Sequence, residues 1–187
     1  AVLRACVGDR GNRRHKPGRA FERTSYRFDV LTDYGAFRDL QRHRMLTIDW
    51  QLLTTAHGHI RPEAVVEAGA AADWQMVMER SAELHAGIVA AGLPLVAQYA
   101  VSMAHRVRFV MHMNAREAMH VIELRTQPSG HPAYRRVCQQ MHRLIEHVAG
   151  HKAIARAMSF VDHSEVELER LQEERRLEAK RQSGQTG

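Results

Sequence analysis

Two runs of residues in this 187-residue chain carry side chains able to recognise a ligand, at spacings that would let them act together. The first is Arg42-His43-Arg44, in which two planar guanidinium forks flank an imidazole and can grip a diphosphate. The second opens with Asn114-Ala115-Arg116-Glu117, passes His120 and closes with Glu123-Leu124-Arg125. On a helix, residues 114, 117, 121 and 125 share a face, which puts Asn114 and Arg125 about three turns apart. An amide can pair with the donor and acceptor edges of a heteroaromatic ring, and a guanidinium can bind a phosphate or a carbonyl edge bidentately. One end of such a helix can touch a ring while the other reaches an anion. Each run alone also fits an ordinary helix: basic residues complement the dipole at a C-terminus, and Asn followed by Glu caps an N-terminus.

The elements that must carry these runs are legible from periodicity. Tyr26, Phe28 and Val30 alternate with Arg27 and Asp29, the signature of a half-buried strand. Asp33 then caps a helix in which Tyr34, Phe37, Leu40 and Gln41 fall near one face, running to about Arg44 and placing the Arg-His-Arg run at its C-terminus. Ile48, Trp50 and Leu52 alternate as a short strand, followed by a His57-Gly58-His59 turn. Pro62 opens an alanine-rich helix from Glu63 to about Ala91, which Gly92-Leu93-Pro94 ends. Val107, Phe109, Met111 and Met113 alternate as a further strand, and Asn114 caps the helix that follows it. Helices over about 132–149 and from Lys152 to about Lys180 complete the chain, the last in mixed blocks of Glu and Arg that suit a solvated or partner-packed face.

Composition narrows the classes. A hydrophobic fraction of 44% suits a folded domain, and two cysteines are too few for a disulfide framework, so Cys6 and Cys138 read as structural thiols in a reducing compartment. No apolar run is long enough to span a bilayer and no signal-peptide core is present, so the default location is cytoplasmic and no membrane partner is expected. The start at Ala1 without a methionine suggests a piece of a longer or processed polypeptide. A formal net charge of +6 favours an anionic partner. The run from Gly8 to Arg19 reads as a basic loop that cannot bury much, and it is the feature a nucleic-acid-binding module would use. Aromatic content of only 6% and the lack of a recognised binding motif make that module the lesser alternative.

Other chemistries fit poorly. His147 and His151 stand at i, i+4 as in a zinc-protease helix, but Val148 replaces the Glu of that motif and Gly150 weakens the helix, so no metal is expected. His105, His112, His131, His142 and His163 lack ligand spacing and read as polar-face residues. No Gly-x-Ser-x-Gly elbow and no phosphate-binding glycine loop is present.

The two runs, in this order and at this distance, resemble flavin-dependent thymidylate synthase over roughly Arg19 to Arg143. The resemblance implies an α+β fold, a small mostly antiparallel sheet packed with long helices, like thymidylate synthase-complementing proteins. It divides the chain into a basic N-terminal arm (1–20), a thymidylate synthase-like domain (21–150) and a C-terminal charged helix and tail (151–187). It implies FAD as cofactor, with Arg42, His43 and Arg44 on the diphosphate or adenosine side and Asn114, Arg116 and His120 near the ring. Arg125 then points toward a dUMP-like nucleotide substrate. The implied reaction is reductive methylation of dUMP to dTMP with methylenetetrahydrofolate and NADPH as co-substrates. It needs no protein nucleophile and assigns no catalytic residue. It also implies a homo-oligomer, a tetramer with flavin sites between subunits, or pairing with a second similar domain.

The resemblance has gaps on the substrate side. After Arg44, Thr47 and Asp49 stand near-isosterically for the family's Ser and Asn, whereas Trp50, Leu52 and Thr54 replace Glu, Ser and Arg. Gln98 falls where a substrate-side Arg belongs, and Val101, Ser102 and Met103 replace Leu-Pro-Leu. A buried phosphate without paired cations is strongly disfavoured. The alternative is therefore a catalytically degenerate structural or regulatory copy that completes a partner domain's active site.

Overall fold

The computed structural model describes residues 2–165. Eight α-helices, α1 (Val2–Val7), α2 (Tyr34–Leu40), α3 (Glu63–Glu67), α4 (Ala71–Ala90), α5 (Pro94–Ala97), α6 (Ala115–Arg125), α7 (Pro132–His147) and α8 (Lys152–Ala157), accompany three strands among the described residues. The strands β1 (Ser25–Asp33), β2 (Thr47–Trp50) and β3 (Arg106–Asn114) form one antiparallel sheet in the order β1-β3-β2. This is the α+β class expected from the sequence. The chain divides into two compact units, one from the segments up to Phe28 and from His112 onward, the other from Asp29–Met111.

Strand alternation is realised almost residue for residue. Tyr26, Phe28 and Val30 on β1 and Val107, Phe109, Met111 and Met113 on β3 are buried while their neighbours face outward. Tyr34 N donates to His105 O at one end of the pair, and Ala115 N donates to Thr24 O at the other. These closing bonds lie equally far apart along both strands, so no bulge intervenes and the register delivers Asp33 and Asn114 to helix starts. β2 departs from its expectation of half-burial. Trp50 at its end and Leu52 beyond it are more than half exposed, although the Trp50 ring tilts against Phe37 at 5.6 Å between centroids.

Three helical expectations are corrected. The alanine-rich helix is broken into α3 and α4, because Gly69 takes a left-handed φ of 71° and Ala70 N donates back to Val65 O, the six-to-one bond of a glycine-terminated helix. Helix α2 stops at Leu40, so Arg42-His43-Arg44 lies in the turn beyond it rather than in its last turn. The helix expected from Lys152 to about Lys180 ends at Ala157; its remainder beyond Glu165 lies outside the described residues. Residues 158–164 are held non-helical by side chains that claim their carbonyls: Gln127 donates to Phe160 O at 3.0 Å, Gln139 to Asp162 O at 3.0 Å and Arg135 to Ser164 O at 3.1 Å.

Candidate functional site

In the first unit the candidate residues ride on α6. Asn114 is its N-cap, with the side-chain Oδ1 accepting from Glu117 N at 2.9 Å. That bond commits the acceptor half of the amide, and the Nδ2 donors are what a ring carbonyl would meet. Asp33 plays the same capping part for α2 in the other unit, accepting from Ala36 N at 2.8 Å.

Arg116, in the first turn of α6, is engaged by the N-terminal segment: Nε donates to Pro17 O at 2.9 Å, and Nη1 lies 3.3 Å from Glu22 Oε1. Hydrogen bonding to Arg19 holds the Glu22 carboxyl below its ordinary range, with the Arg116 charge adding to the effect. His120 follows at the next turn, its Nδ1 3.7 Å from Glu117 Oε2. Arg125 closes the helix with its guanidinium over the Tyr134 ring, 5.3 Å from the centroid. At about 1.5 Å per residue, Asn114 and Arg125 stand roughly 16 Å apart at opposite ends of one rigid rod.

The rod is fixed from its buried side. Met119, Val121, Ile122 and Glu123 are fully buried, and Glu123 is compensated by Arg10, whose Nη1 and Nη2 lie 2.9 and 2.5 Å from its two oxygens. Arg10 also donates to Ala157 O and stacks over Phe160, while Phe160 N donates to Glu123 Oε1. Just past Arg125, Thr126 O accepts from Arg135 Nε at 3.0 Å and Thr126 Oγ1 from Asp162 N at 3.1 Å. The basic loop over Gly8–Arg19 is mostly exposed, as expected, but Arg10 departs from it: its side chain is 4% exposed, because a buried carboxylate claims it.

In the second unit, Arg42 and Arg44 are exposed and His43 is buried between them. His43 N donates to Leu40 O, and Arg42 lies 3.6 Å from Asp39 across one helical turn. The structure thus keeps the two cations of this run at the surface and turns the imidazole inward. Gln98, at the position where a substrate-side Arg was expected, accepts from Leu53 N and donates to Leu95 O, so its amide braces two backbone segments.

The histidines sort themselves by contact. His151 Nδ1 lies 2.9 Å from Tyr26 Oη, and His147 sits 3.6 Å from Glu146, on the other side of the Gly150 turn. His105 is not a polar-face residue: it is 2% exposed, 2.9 Å from Ser102 Oγ, and burial followed by the neighbouring His59 pushes its pKa down. Two partners escaped sequence reasoning. Tyr134 carried no signal, being separated from Arg125 by a turn. Glu123 carried one, since its neighbours at −4 and +3, Met119 and Thr126, lie on the buried face of the same helix.

A family model described as thymidylate synthase complementing protein matches residues 10–151. A UPF0159 protein of Chlamydia pneumoniae is 41% identical over 177 residues, 95% of this chain and 33% of its own length. Its counterpart in Chlamydia muridarum is 39% identical over 178 residues, again 95% of this chain and 33% of its own length. A UPF0159 protein of Thermoplasma acidophilum is 36% identical over 181 residues, 96% of this chain and 36% of its own length. The chain thus spans about a third of the length of the curated relatives it matches. The crystal structure of a UMP/dUMP methylase, PolB from Streptomyces cacaoi, bound with 5-Br UMP, shares the fold at a TM-score of 0.60 and 17% identity, covering 75% of this chain and 78% of that one.

Proposed function

The chain belongs to the thymidylate synthase complementing protein family, that of the flavin-dependent thymidylate synthases, and from that premise we propose that it is a nucleotide-methylating domain that binds FAD and a dUMP-like pyrimidine nucleotide. The observation that carries this reading is α6, which keeps an amide at its capped start and a guanidinium over an aromatic ring at its end. The named ligand of the structural neighbour, a brominated uridine monophosphate, supports the same substrate class.

The residues present fit the cofactor in chemical type. Arg42 and Arg44 offer exposed cations to a diphosphate, with His43 between them. Asn114 offers amide donors to a ring carbonyl, with Arg116 and His120 on the following turns. Arg125 faces the nucleotide. When bound, a flavin would supply hydride chemistry, with NADPH as its reductant and methylenetetrahydrofolate as the carbon donor. The protein contributes position and electrostatics: cations compensate phosphate charge, and a rigid helix fixes ring and anion contacts at a set separation.

Assembly belongs to the same proposal. Helix α4 buries only Met78, while Met76, Val77, Leu84 and Val89 stay exposed, with Leu93, Leu95, Val96 and Tyr99 beyond its end. Exposed apolar side chains in this number support packing against another copy or a second similar domain.

A second reading, a degenerate copy that completes a neighbouring domain's site, is favoured by Gln98, Trp50 and Leu52. The first is spent on backbone and the others expose apolar surface where the resemblance expects polar substrate contacts. The deciding experiment is the visible spectrum after FAD addition and desalting, followed by dTMP formation from dUMP, methylenetetrahydrofolate and NADPH. A flavin band lost on Arg42→Ala, together with turnover, supports the enzyme. A flavin band without turnover supports the degenerate copy. A folded protein that retains no flavin rejects the cofactor assignment.

A further inference from the structure

Residues 10–17 hold more fixed structure than a basic loop needs. Arg10 closes the loop on itself by donating from Nε to His15 O at 2.6 Å, and Gly11 N donates to His15 Nδ1 at 3.2 Å. Arg14 N donates to Asn12 Oδ1 at 2.8 Å and His15 N to Asn12 O at 3.1 Å, so the turn at Arg13-Arg14 is tied by its own backbone.

The loop is also fastened to α6 at both ends. Arg10 grips Glu123, and the buried Pro17 presents its carbonyl to Arg116 Nε. Seven residues separate the two anchors on the loop and seven separate them on the helix, about 10 Å of helix rise. Between the anchors stand Arg13, Arg14 and Lys16. Arg14 and Lys16 are exposed and Arg13 is half-buried, and none of the three side chains makes a hydrogen bond or ion pair among the described residues. Arg10 and Arg19, by contrast, are engaged by Glu123 and Glu22. From residue 13 to residue 16 the backbone reaches at most about 11 Å, and less around a turn, so three long side chains can converge on one anion.

Two guanidinium forks and an ammonium within so short a span match a dense charge. A phosphate monoester dianion offers one, whereas phosphodiesters along a strand or carboxylates along a peptide carry single, separated charges. Among the ligands of the proposed reaction, NADPH carries such a group on its adenosine ribose and NADH does not. We propose that Arg13, Arg14 and Lys16 are specificity-determining residues for the reductant, binding the 2′-phosphate that separates NADPH from NADH. The inference rests on the proposed function for the identity of that reductant. Because the loop is ordered and pinned to α6 before any ligand arrives, binding does not have to order a flexible arm first.

The test measures calorimetric binding of adenosine 2′,5′-bisphosphate and of 5′-AMP to the full chain, two ligands that differ by the 2′-phosphate alone. Wild type is expected to prefer the bisphosphate at least about tenfold, the scale of a charge-assisted contact. Arg13→Gln with Arg14→Gln should shrink that preference to about twofold or less, and Lys16→Gln should shrink it in part. Melting temperatures should not change, since these side chains have no partner in the fold. Equal binding of the two nucleotides by wild type, or a preference that survives in the double variant, overturns the proposal. So does an oligothymidylate that displaces the bisphosphate and dissociates steeply as salt rises, which would make the loop a nucleic-acid backbone contact. FAD retention is scored separately: preference without FAD supports the phosphate site and rejects the cofactor reading, and FAD without preference does the reverse.

Discussion

Replacing Arg10 by alanine tests the most consequential contact in the unit that carries α6. The Arg10 and Glu123 side chains are 4% and 0% exposed, and their two oxygen–nitrogen contacts are 2.9 and 2.5 Å. Removing one member of a buried pair strands the other as an uncompensated charge, at a cost of about 3–5 kcal/mol. Arg10 also gives up its bond to Ala157 O and its stack on Phe160, so the upper half of that range is expected. Against a total stability of about 5–15 kcal/mol this is a large fraction. For a chain of this size the melting temperature should fall by roughly 6–20 °C, and urea unfolding followed by circular dichroism would give the free energy directly. The double variant Arg10→Met with Glu123→Leu removes both charges and should recover most of the loss, which separates charge compensation from packing. A loss below about 1 kcal/mol for Arg10→Ala, the value typical of an exposed pair, would refute the reasoning. It would place Arg10 with the exposed remainder of the basic loop.

Three further outcomes are expected. Asn114→Asp preserves the helix cap while Asn114→Ala loses about 1 kcal/mol of stability, yet both should lose flavin, because only the amide can donate to a ring carbonyl; a flavin band retained in Asn114→Asp would contradict that donor role. His105 is held neutral by burial, and its folded pKa lies below the ordinary value, so the unfolded chain binds this proton more tightly. The stability it contributes is complete above about pH 6.5 and is lost as pH falls from there through the lower folded value. Urea unfolding between pH 5 and about 8 should show this slope in wild type and less of it in His105→Asn. The buried Cys138 thiol, pushed up to about 12 by desolvation, should resist iodoacetamide while the half-buried Cys6 reacts, so mass spectrometry of the native chain should show one adduct.

The parts of the fold that depend on local periodicity were readable in advance. Alternation located β1 and β3 because each buries one face, and the side chains of Asp33 and Asn114 announced helix starts because a capping oxygen has few alternatives. The same alternation misjudged β2, a strand of four residues whose Trp50 stays more than half exposed, whereas β1, equally at the edge of the sheet, buries its apolar face. Alanine-rich composition hid the break between α3 and α4, where one glycine outweighs the helix preference around it. The charge pattern after Lys152 favoured a continuous helix, but Arg135, Gln139 and Gln127 compete for the carbonyls of 158–164, and tertiary partners of that kind leave no trace in local sequence.

The candidate site divides along the same line. The positions of Asn114, Arg116, His120 and Arg125 on one helix follow from spacing alone, but what each side chain has left to offer does not. Asn114 reads as an amide with both edges available, until its oxygen is found accepting from Glu117 N. Arg116 and Arg10 read as equivalent members of a basic field, yet one is held by Pro17 and Glu22 and the other by a buried carboxylate. Pairing Arg10 with Glu123 and Arg116 with Glu22 removes equal and opposite charges, so the net +6 is carried by cations outside these pairs. Arg42 and Arg44 remain at the surface, so a diphosphate should depend on them more steeply than net charge would suggest. Neutralising Arg10 should alter ligand binding only through stability, whereas neutralising Arg42 or Arg44 should alter binding without it.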